Sequence, residues 1–328
     1  MSPIIISVIA LALTFDFLNG IHDSSNIVAT MISSRALTPR VALTITALAE
    51  FSGPLIFGVA VANTIGHDVV AAEAITLSVL LAALGSAILW NLLTWYLGFP
   101  SSSSHALIGG FVGAVVMDAG WHSIKIPGLL KIFIALFTSP LIGFVIGYLL
   151  LKLILFLCWN MSPRVNEFFK RSQVVTAIAL ALSHGANDAQ KTMGIITLAL
   201  VTGGVLKDFV VPFWVILLCG GMIAFGTSVG GWKLIRTLGG KFYKIRPVDG
   251  FASQLTSAVV ILSASLVGGP VSTTQVVSSA IMGVGAAERK NKVRWGVAQE
   301  IATAWLLTIP ATALVGAGLY WVISQFVH

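Results

Sequence analysis

Charge is what this chain has least of. Asp, Glu, Lys and Arg make up 9 % of its 328 residues, against 57 % hydrophobic ones. Water-soluble domains draw about a quarter of their residues from those four types, so the ordinary soluble classes are excluded. Cysteine is rarer still: Cys158 and Cys219 both lie in apolar runs. That excludes a disulfide framework and a cysteine metal site, and leaves two small buried residues. No Gly-x-x-x-x-Gly-Lys-Ser/Thr loop occurs, so nothing here cradles the phosphates of ATP. No His-Glu-x-x-His pair occurs either, and no resident metal or cofactor is expected. Before Ile4–Leu18 there is no basic region and no small-residue cleavage pattern, so the first apolar run is expected to be a retained helix rather than a leader.

Apolar length is abundant. Mean hydropathy is +0.96, and runs of about 20 apolar residues, enough to cross a bilayer core about 30 Å thick, recur throughout. The expected class is an all-α polytopic membrane protein. The +7 net charge is no nucleic-acid signal, because the basic residues are sorted by loop. One cluster is Arg35 and Arg40. A second is Lys152, Arg164, Lys170 and Arg171. A third is Lys233, Arg236, Lys241, Lys244 and Arg246, and a fourth Arg289, Lys290, Lys292 and Arg294. The connections between them are sparse or acidic, as at Asp68–Glu73, Asp118–Lys125 and Lys207-Asp208. The positive-inside rule places the four clusters in the cytoplasm.

The chain reads as two copies of one plan. Gly20-Ile21-His22-Asp23-Ser24-Ser25-Asn26 has its counterpart in Gly185-Ala186-Asn187-Asp188-Ala189-Gln190-Lys191, 165 residues on. Pro100, Ser102 to Ser104, Gly113, Thr138 and Pro140 correspond to Pro270, Ser272 to Thr274, Gly283, Thr308 and Pro310, all at an offset of 170. An ordered series at nearly constant spacing marks an internal duplication. The expected units are a first repeat at 1–160, a cytoplasmic connection at 161–172 and a second repeat at 173–328. The charge rule has the first repeat start outside and finish inside, so the second runs the opposite way. Inverted-topology repeats of this kind place their sites at the midplane, where discontinuous helices meet.

Two kinds of segment carry chemistry. After Pro100 stand Ser101, Ser102, Ser103, Ser104 and His105; after Pro270 stand Ser272, Thr273 and Thr274. Ser and Thr are good helix N-caps. A helix N-terminus, with unpaired N–H groups and a favourable dipole, is a ready anion site. The apolar arm after each loop, about 11–14 residues, is too short to span. Two re-entrant hairpins are expected, meeting tip to tip around a small tetrahedral oxyanion. The other segments are the Asp motifs, within apolar runs, where a charge costs about 2.5–3.5 kcal/mol even on lenient scales. Glycine beside these polar groups predicts helices that break near Gly20–Asp23 and near Asp188. Asp23, Asn26, Asn187, Asp188 and Gln190 offer oxygen ligands suited to a hard cation. Lys191 stands where its twin is Asn26. Its ammonium would occupy or abolish one cation position and could bind the oxyanion or exchange a proton, which makes this second position proton-linked rather than sodium-linked. His22, His105 and His184 read as hydrogen-bonded packing residues. Asp16, Glu50 and Glu300 are either pathway groups or helix-helix glue, and Gly53-Pro54 predicts a kink in the second span.

With those motifs in view, the chain resembles the PiT family of inorganic phosphate transporters. That family carries a Gly-x-Asn-Asp motif in each half. Here the motifs are Gly185-Ala186-Asn187-Asp188 and Gly20-Ile21-His22-Asp23, with His22 in place of Asn, and the Pro100–His105 loop also resembles bacterial members. The resemblance covers essentially the whole chain. It implies a symporter that imports phosphate across the cytoplasmic membrane with H⁺ or Na⁺, with phosphate free or as a metal complex, and with sulfate as the alternative cargo of some relatives; H⁺ is favoured here by Lys191 standing where its twin is Asn26. The partners it implies are phosphate, the coupling cation and lipid, with a homodimer as the assembly to test. Ser101–Ser104, Ser272, Thr273, Thr274 and Lys191 would bind the anion. Asp23, Asn26, Asn187, Asp188 and Gln190 would bind the cation. An intramembrane aspartyl enzyme, built on carboxylates sharing a proton, is the alternative of another class. It has no use for the second copy of each motif.

Overall fold

The protein is described by a computed structural model covering residues 1–67, 75–98, 101–231 and 245–326. Pro100, Asp68–Glu73, Trp232, and four of the five basic residues of the third cluster lie outside the described residues, as does the Glu300 side chain. Among the described residues the structure is all-α, with eleven α-helices. They are α1 (Pro3–Ser33), α2 (Pro39–Phe57), α3 (Ala60–His67), α4 (Leu77–Leu97), α5 (Ser103–Ala119) and α6 (Ile126–Leu157), then α7 (Val165–Thr202), α8 (Phe213–Val229), α9 (Pro247–Leu266), α10 (Thr273–Glu288) and α11 (Trp295–Ile323). Six of them, α1, α2, α4, α6, α9 and α11, contain a stretch long and apolar enough to cross a membrane. The chain is a multi-pass membrane protein. Its polarity is inverted relative to a soluble one: Leu141 and Leu314 on α6 and α11 face outward, while Asp16, Asp23, Glu50, Asp188 and Lys191 are buried.

Helix contacts interleave the two halves reciprocally. Helix α1 packs on α8 and α7 on α2; α5 packs on α11 and α10 on α6; α1 also meets α4, and α7 meets α9. Glycine makes the closest of these approaches possible, as small residues do in membrane interfaces. A Cβ on Gly20 would stand 2.1 Å from the Ile223 carbonyl oxygen, and one on Gly185 would stand 2.1 Å from that of Glu50.

That packing overturns one expectation. Both α1 and α7 run unbroken through their Asp motifs, for 31 and 38 residues. Gly20 and Gly185 admit a neighbouring backbone rather than interrupt their own helix, and the polar side chains bond sideways into partners instead of drawing the chain open. The interruption falls elsewhere. Helix α2 runs through Pro54 and ends at Phe57, before Gly58 at φ +79°, and α3 follows, so the span expected to reach Ala62 is split. In the second half α8 ends at Val229, before Gly230 at φ +77°.

The loop arms form hairpins, and they are longer than expected: α5 has 17 residues and α10 has 16. Ser102 caps α5 by accepting from the His105 N–H at 3.2 Å, and Ser272 caps α10 by accepting from the Gln275 N–H at 3.4 Å. The outer ends of each hairpin are tied together. Thr76, before α4, donates to Asp118 near the end of α5 at 3.4 Å. Arg246, before α9, pairs with Glu288 at the end of α10 at 2.5 Å. Both ends of a hairpin therefore lie on one side, and its turn points inward.

Candidate functional site

The two turns meet. Ser104 Oγ donates to the Val271 carbonyl at 3.1 Å, and Gln275 Nε2 lies 3.4 Å from His105 Nε2. Against this junction lie α1 and α7, each presenting four polar residues at helical spacing: Asn19, His22, Asp23 and Asn26 on one, His184, Asn187, Asp188 and Lys191 on the other. Residues three and four apart share a helix face, so each helix turns its set toward the junction, where His22 and Asn187 bond to flanking elements rather than to the centre. All eight are buried.

On the α7 side, Lys191 Nζ donates to Asp188 Oδ1, to Ser104 Oγ at 2.6 Å and to the Val271 carbonyl at 2.8 Å. Asp188 Oδ2 accepts from Thr273 Oγ1 at 2.9 Å and from Asn19 Nδ2 at 3.3 Å. On the α1 side, Asp23 Oδ1 accepts from Asn26 Nδ2 and Thr274 Oγ1, each at 2.8 Å. His184 links the two. Its Nε2 lies 3.3 Å from Asp23 Oδ2 and 3.1 Å from Asp188 Oδ2, while its Nδ1 faces Glu50 Oε1 at 2.8 Å. Ionised, the three carboxylates outweigh the single ammonium. Charges this deep must be paired or neutralised, so the centre calls for protons or bound cations. One ligand atom each from Asp23, His184 and Asp188 lie within 4.8 Å of one another, a set that fits an oxygen- and nitrogen-liganded cation.

Of the residues singled out in the sequence, Asp23, Asn26, Asp188, Lys191, Ser104, Thr273 and Thr274 come together. Ser102 and Ser272 are spent on capping. Ser101 Oγ donates to Thr94 Oγ1 at 2.8 Å, and Ser103, the first residue of α5, is buried at the same turn. Two predicted cation ligands are engaged elsewhere. Asn187 bolts α7 to the second turn, donating to Ser265 Oγ at 2.8 Å and to the Gly269 carbonyl at 3.2 Å, and accepting from the Val271 N–H at 3.2 Å. Gln190 bonds the Gly58 carbonyl at 2.6 Å and accepts from the Val61 N–H at 2.8 Å, satisfying backbone groups freed where α2 gives way to α3. His22 lies 3.4 Å from Thr94 Oγ1 and His105 lies 2.7 Å from Ser102 Oγ, both as packing residues. Asp16 accepts from Thr192 at 2.6 Å. Sequence reasoning missed Asn19 and undervalued His184 and Glu50. The signal for Asn19 was present, since the same offset of 165 pairs it with His184. Nothing local tied Glu50 to either.

A polytopic helical membrane protein with helix starts, hydroxyls and paired charges converging at its buried centre is built as a transporter. The chain belongs to the phosphate transporter family, whose model matches residues 19–164 and 157–316; the resemblance to PiT transporters holds, and the enzyme alternative falls with it. A probable low-affinity inorganic phosphate transporter of Rhizobium meliloti is 46 % identical over 321 residues, 97 % of this chain and 96 % of the relative. One of Bacillus subtilis is 45 % identical over 329 residues, 98 % and 97 % of the two chains. Among solved structures, one titled the sodium-dependent phosphate transporter matches with a TM-score of 0.90 at 26 % identity, covering 99 % of this chain and all of that one.

Proposed function

We propose that this protein is a secondary symporter that imports inorganic phosphate across the cytoplasmic membrane together with a cation, a proton in preference to sodium. The observation that carries it is the junction of the two turns. Helices α5 and α10 begin there from opposite hairpins, and Lys191, Thr273 and Thr274 stand beside the carboxylates of Asp23 and Asp188. Helix starts and hydroxyls suit a tetrahedral oxyanion. Phosphate donates a hydrogen bond at neutral pH and sulfate does not, so Asp23 and Asp188 favour phosphate. The excess of buried carboxylates supports co-entry of a cation, because anion and cation offset each other's cost in the low dielectric. The ammonium of Lys191 in place of an amide takes up a place that sodium would otherwise fill, which favours the proton as the coupled cation. The relatives' names support the cargo. With the basic clusters inside, the first hairpin enters from outside and the second from the cytoplasm, as inverted repeats require. All the groups named come from one chain, so each copy in a homodimer would carry its own site.

The Asp23–His184–Asp188 cluster favours a second form of the cargo, phosphate accompanied by a divalent ion held by those three side chains. Reconstituted protein in liposomes, given labelled phosphate under an imposed pH or Na⁺ gradient and with or without Mn²⁺, tests both. Concentrative uptake that collapses with a protonophore and resists excess sulfate is expected. Failure to accumulate phosphate under either gradient would refute the proposal. Uptake of Mn²⁺ in step with phosphate would select the complex.

A further inference from the structure

The offsets that align the two halves also align their contacts. Asp188, Lys191 and Ser104 are the counterparts of Asp23, Asn26 and Thr274. In the first set the third residue comes from the first hairpin, and in the second set from the second hairpin. The bonds correspond as well. Asn26 Nδ2 donates to Asp23 Oδ1 at 2.8 Å and to Thr274 Oγ1 at 3.1 Å. Lys191 Nζ donates to Asp188 Oδ1 and to Ser104 Oγ at 2.6 Å. The longer side chain then reaches one group further, to the Val271 carbonyl at 2.8 Å. The lysine nitrogen is thus ringed by a carboxylate, a hydroxyl and a backbone carbonyl. That is the oxygen set by which transporters hold a hard monovalent cation. An ammonium has three N–H donors, and here all three are taken by the protein. No donor is left over for an anion, and the Asp188 carboxylate stands against the nitrogen as its counter-ion.

The counterpart lacks this. Asn26 is neutral, and the hydroxyls of Thr273 and Thr274 that bond Asp23 are neutral too; among the described residues its ionisable bonding partner is the His184 ring, which it shares with Asp188 and Glu50. A buried carboxylate bonded to an amide and hydroxyls needs a counter-charge, whereas Asp188 already has one in Lys191.

We infer that Lys191 is a tethered cation: it fills, on the α7 side, the place that a coupled cation takes on the α1 side, so each transport cycle carries one cation fewer than the duplicated site has places for. This rests on the symport reading above. The exchangeable place is then the one formed by Asp23, Asn26 and Thr274, and the two halves divide the work, one holding a permanent charge and one exchanging a mobile charge.

The test restores the symmetry. Lys191→Asn installs the twin's residue, and Lys191→Met removes the charge without offering a ligand. Full-length wild type and both variants are purified, and binding of radioactive Na⁺ is measured in detergent at fixed pH, followed by the order of phosphate uptake in external Na⁺ after reconstitution. In K191N, Na⁺ bound per chain and the order of uptake should each rise by about one over wild type, with no rise in K191M. A monodisperse K191N whose Na⁺ binding matches wild type overturns the inference, as does an equal gain in K191M. Should K191N not survive purification, Asn26→Lys gives the reciprocal test: with an ammonium in both places, gradient-driven accumulation of phosphate is lost, and a monodisperse N26K that accumulates phosphate as wild type does overturns the inference. Failure of the symport reading shows separately, in the wild type, as absence of accumulation.

Discussion

Helices α1 and α7 occupy equivalent places and do not carry equivalent residues. Along α1 the inward face reads Asn19, His22, Asp23, Asn26; along α7 it reads His184, Asn187, Asp188, Lys191. Only the aspartate is common. Across the interface, the residue that closes on Gly185 is Glu50, whereas the one that closes on Gly20 is Ile223. Ionisable groups have thus gathered on the α7 side, with Lys191, His184 and Glu50 opposite Asn26, Asn19 and Ile223 on the other. A symmetric frame with an asymmetric lining lets one half hold fixed charge while the other exchanges it.

The comparison is broken most directly at the two aspartates. Asp188→Asn leaves the Lys191 ammonium buried without its carboxylate. Removing one partner of a buried pair costs about 3–5 kcal/mol, so thermal unfolding in detergent should fall sharply and uptake should vanish. Asp23→Asn leaves mostly neutral partners behind and should abolish uptake with a much smaller loss of stability. Equal losses in the two variants would mean that Lys191 contributes no special pairing.

Next in size is Glu50→Gln. It removes a carboxylate that has no counterpart in the other half, with His184 still held between Asp23 and Asp188. Gradient-driven accumulation should drop well below wild type while phosphate exchange persists, as measured in the same liposomes. A smaller effect separates the residues following Ile21 and Ala186. Asn187→Ala deletes three bonds to the second hairpin and, at about 1 kcal/mol per net hydrogen bond, should lower stability by a few kcal/mol. His22→Ala deletes one long contact and should cost less. The smallest effects serve as controls on the symmetric frame. Ser272→Ala removes one N-cap, worth about 1 kcal/mol, and Ser102→Ala removes one N-cap together with the His105 ring contact, so it should shift unfolding slightly more.

Much of this was legible beforehand and some was not. The hairpins with capped inner ends, and the meeting of Ser104, Thr273, Asp23, Asp188 and Lys191, follow from turn chemistry and helical spacing that recur along the chain. The continuity of α1 and α7 was missed because a glycine beside polar groups looks the same whether it breaks its own helix or receives another one. Gln190 and Asn187 look like cation ligands in sequence, and only the structure shows that they bond to Gly58 and Ser265. Glu50 lies 134 residues from His184, and no spacing rule reaches that far.

By itself the sequence determined the class, the span-length runs and the pairing of motifs, because bilayer thickness, residue polarity and helical period act on neighbouring residues. The tertiary structure alone decided that α1 would lie on α8 and α7 on α2, each helix seated against the other half through a glycine. That exchange brings three acids, one histidine and one lysine into a single buried cluster. The physical reason is close packing: which side chains share the low-dielectric centre depends on where two backbones can touch, and that is settled only when all the helices have found their places.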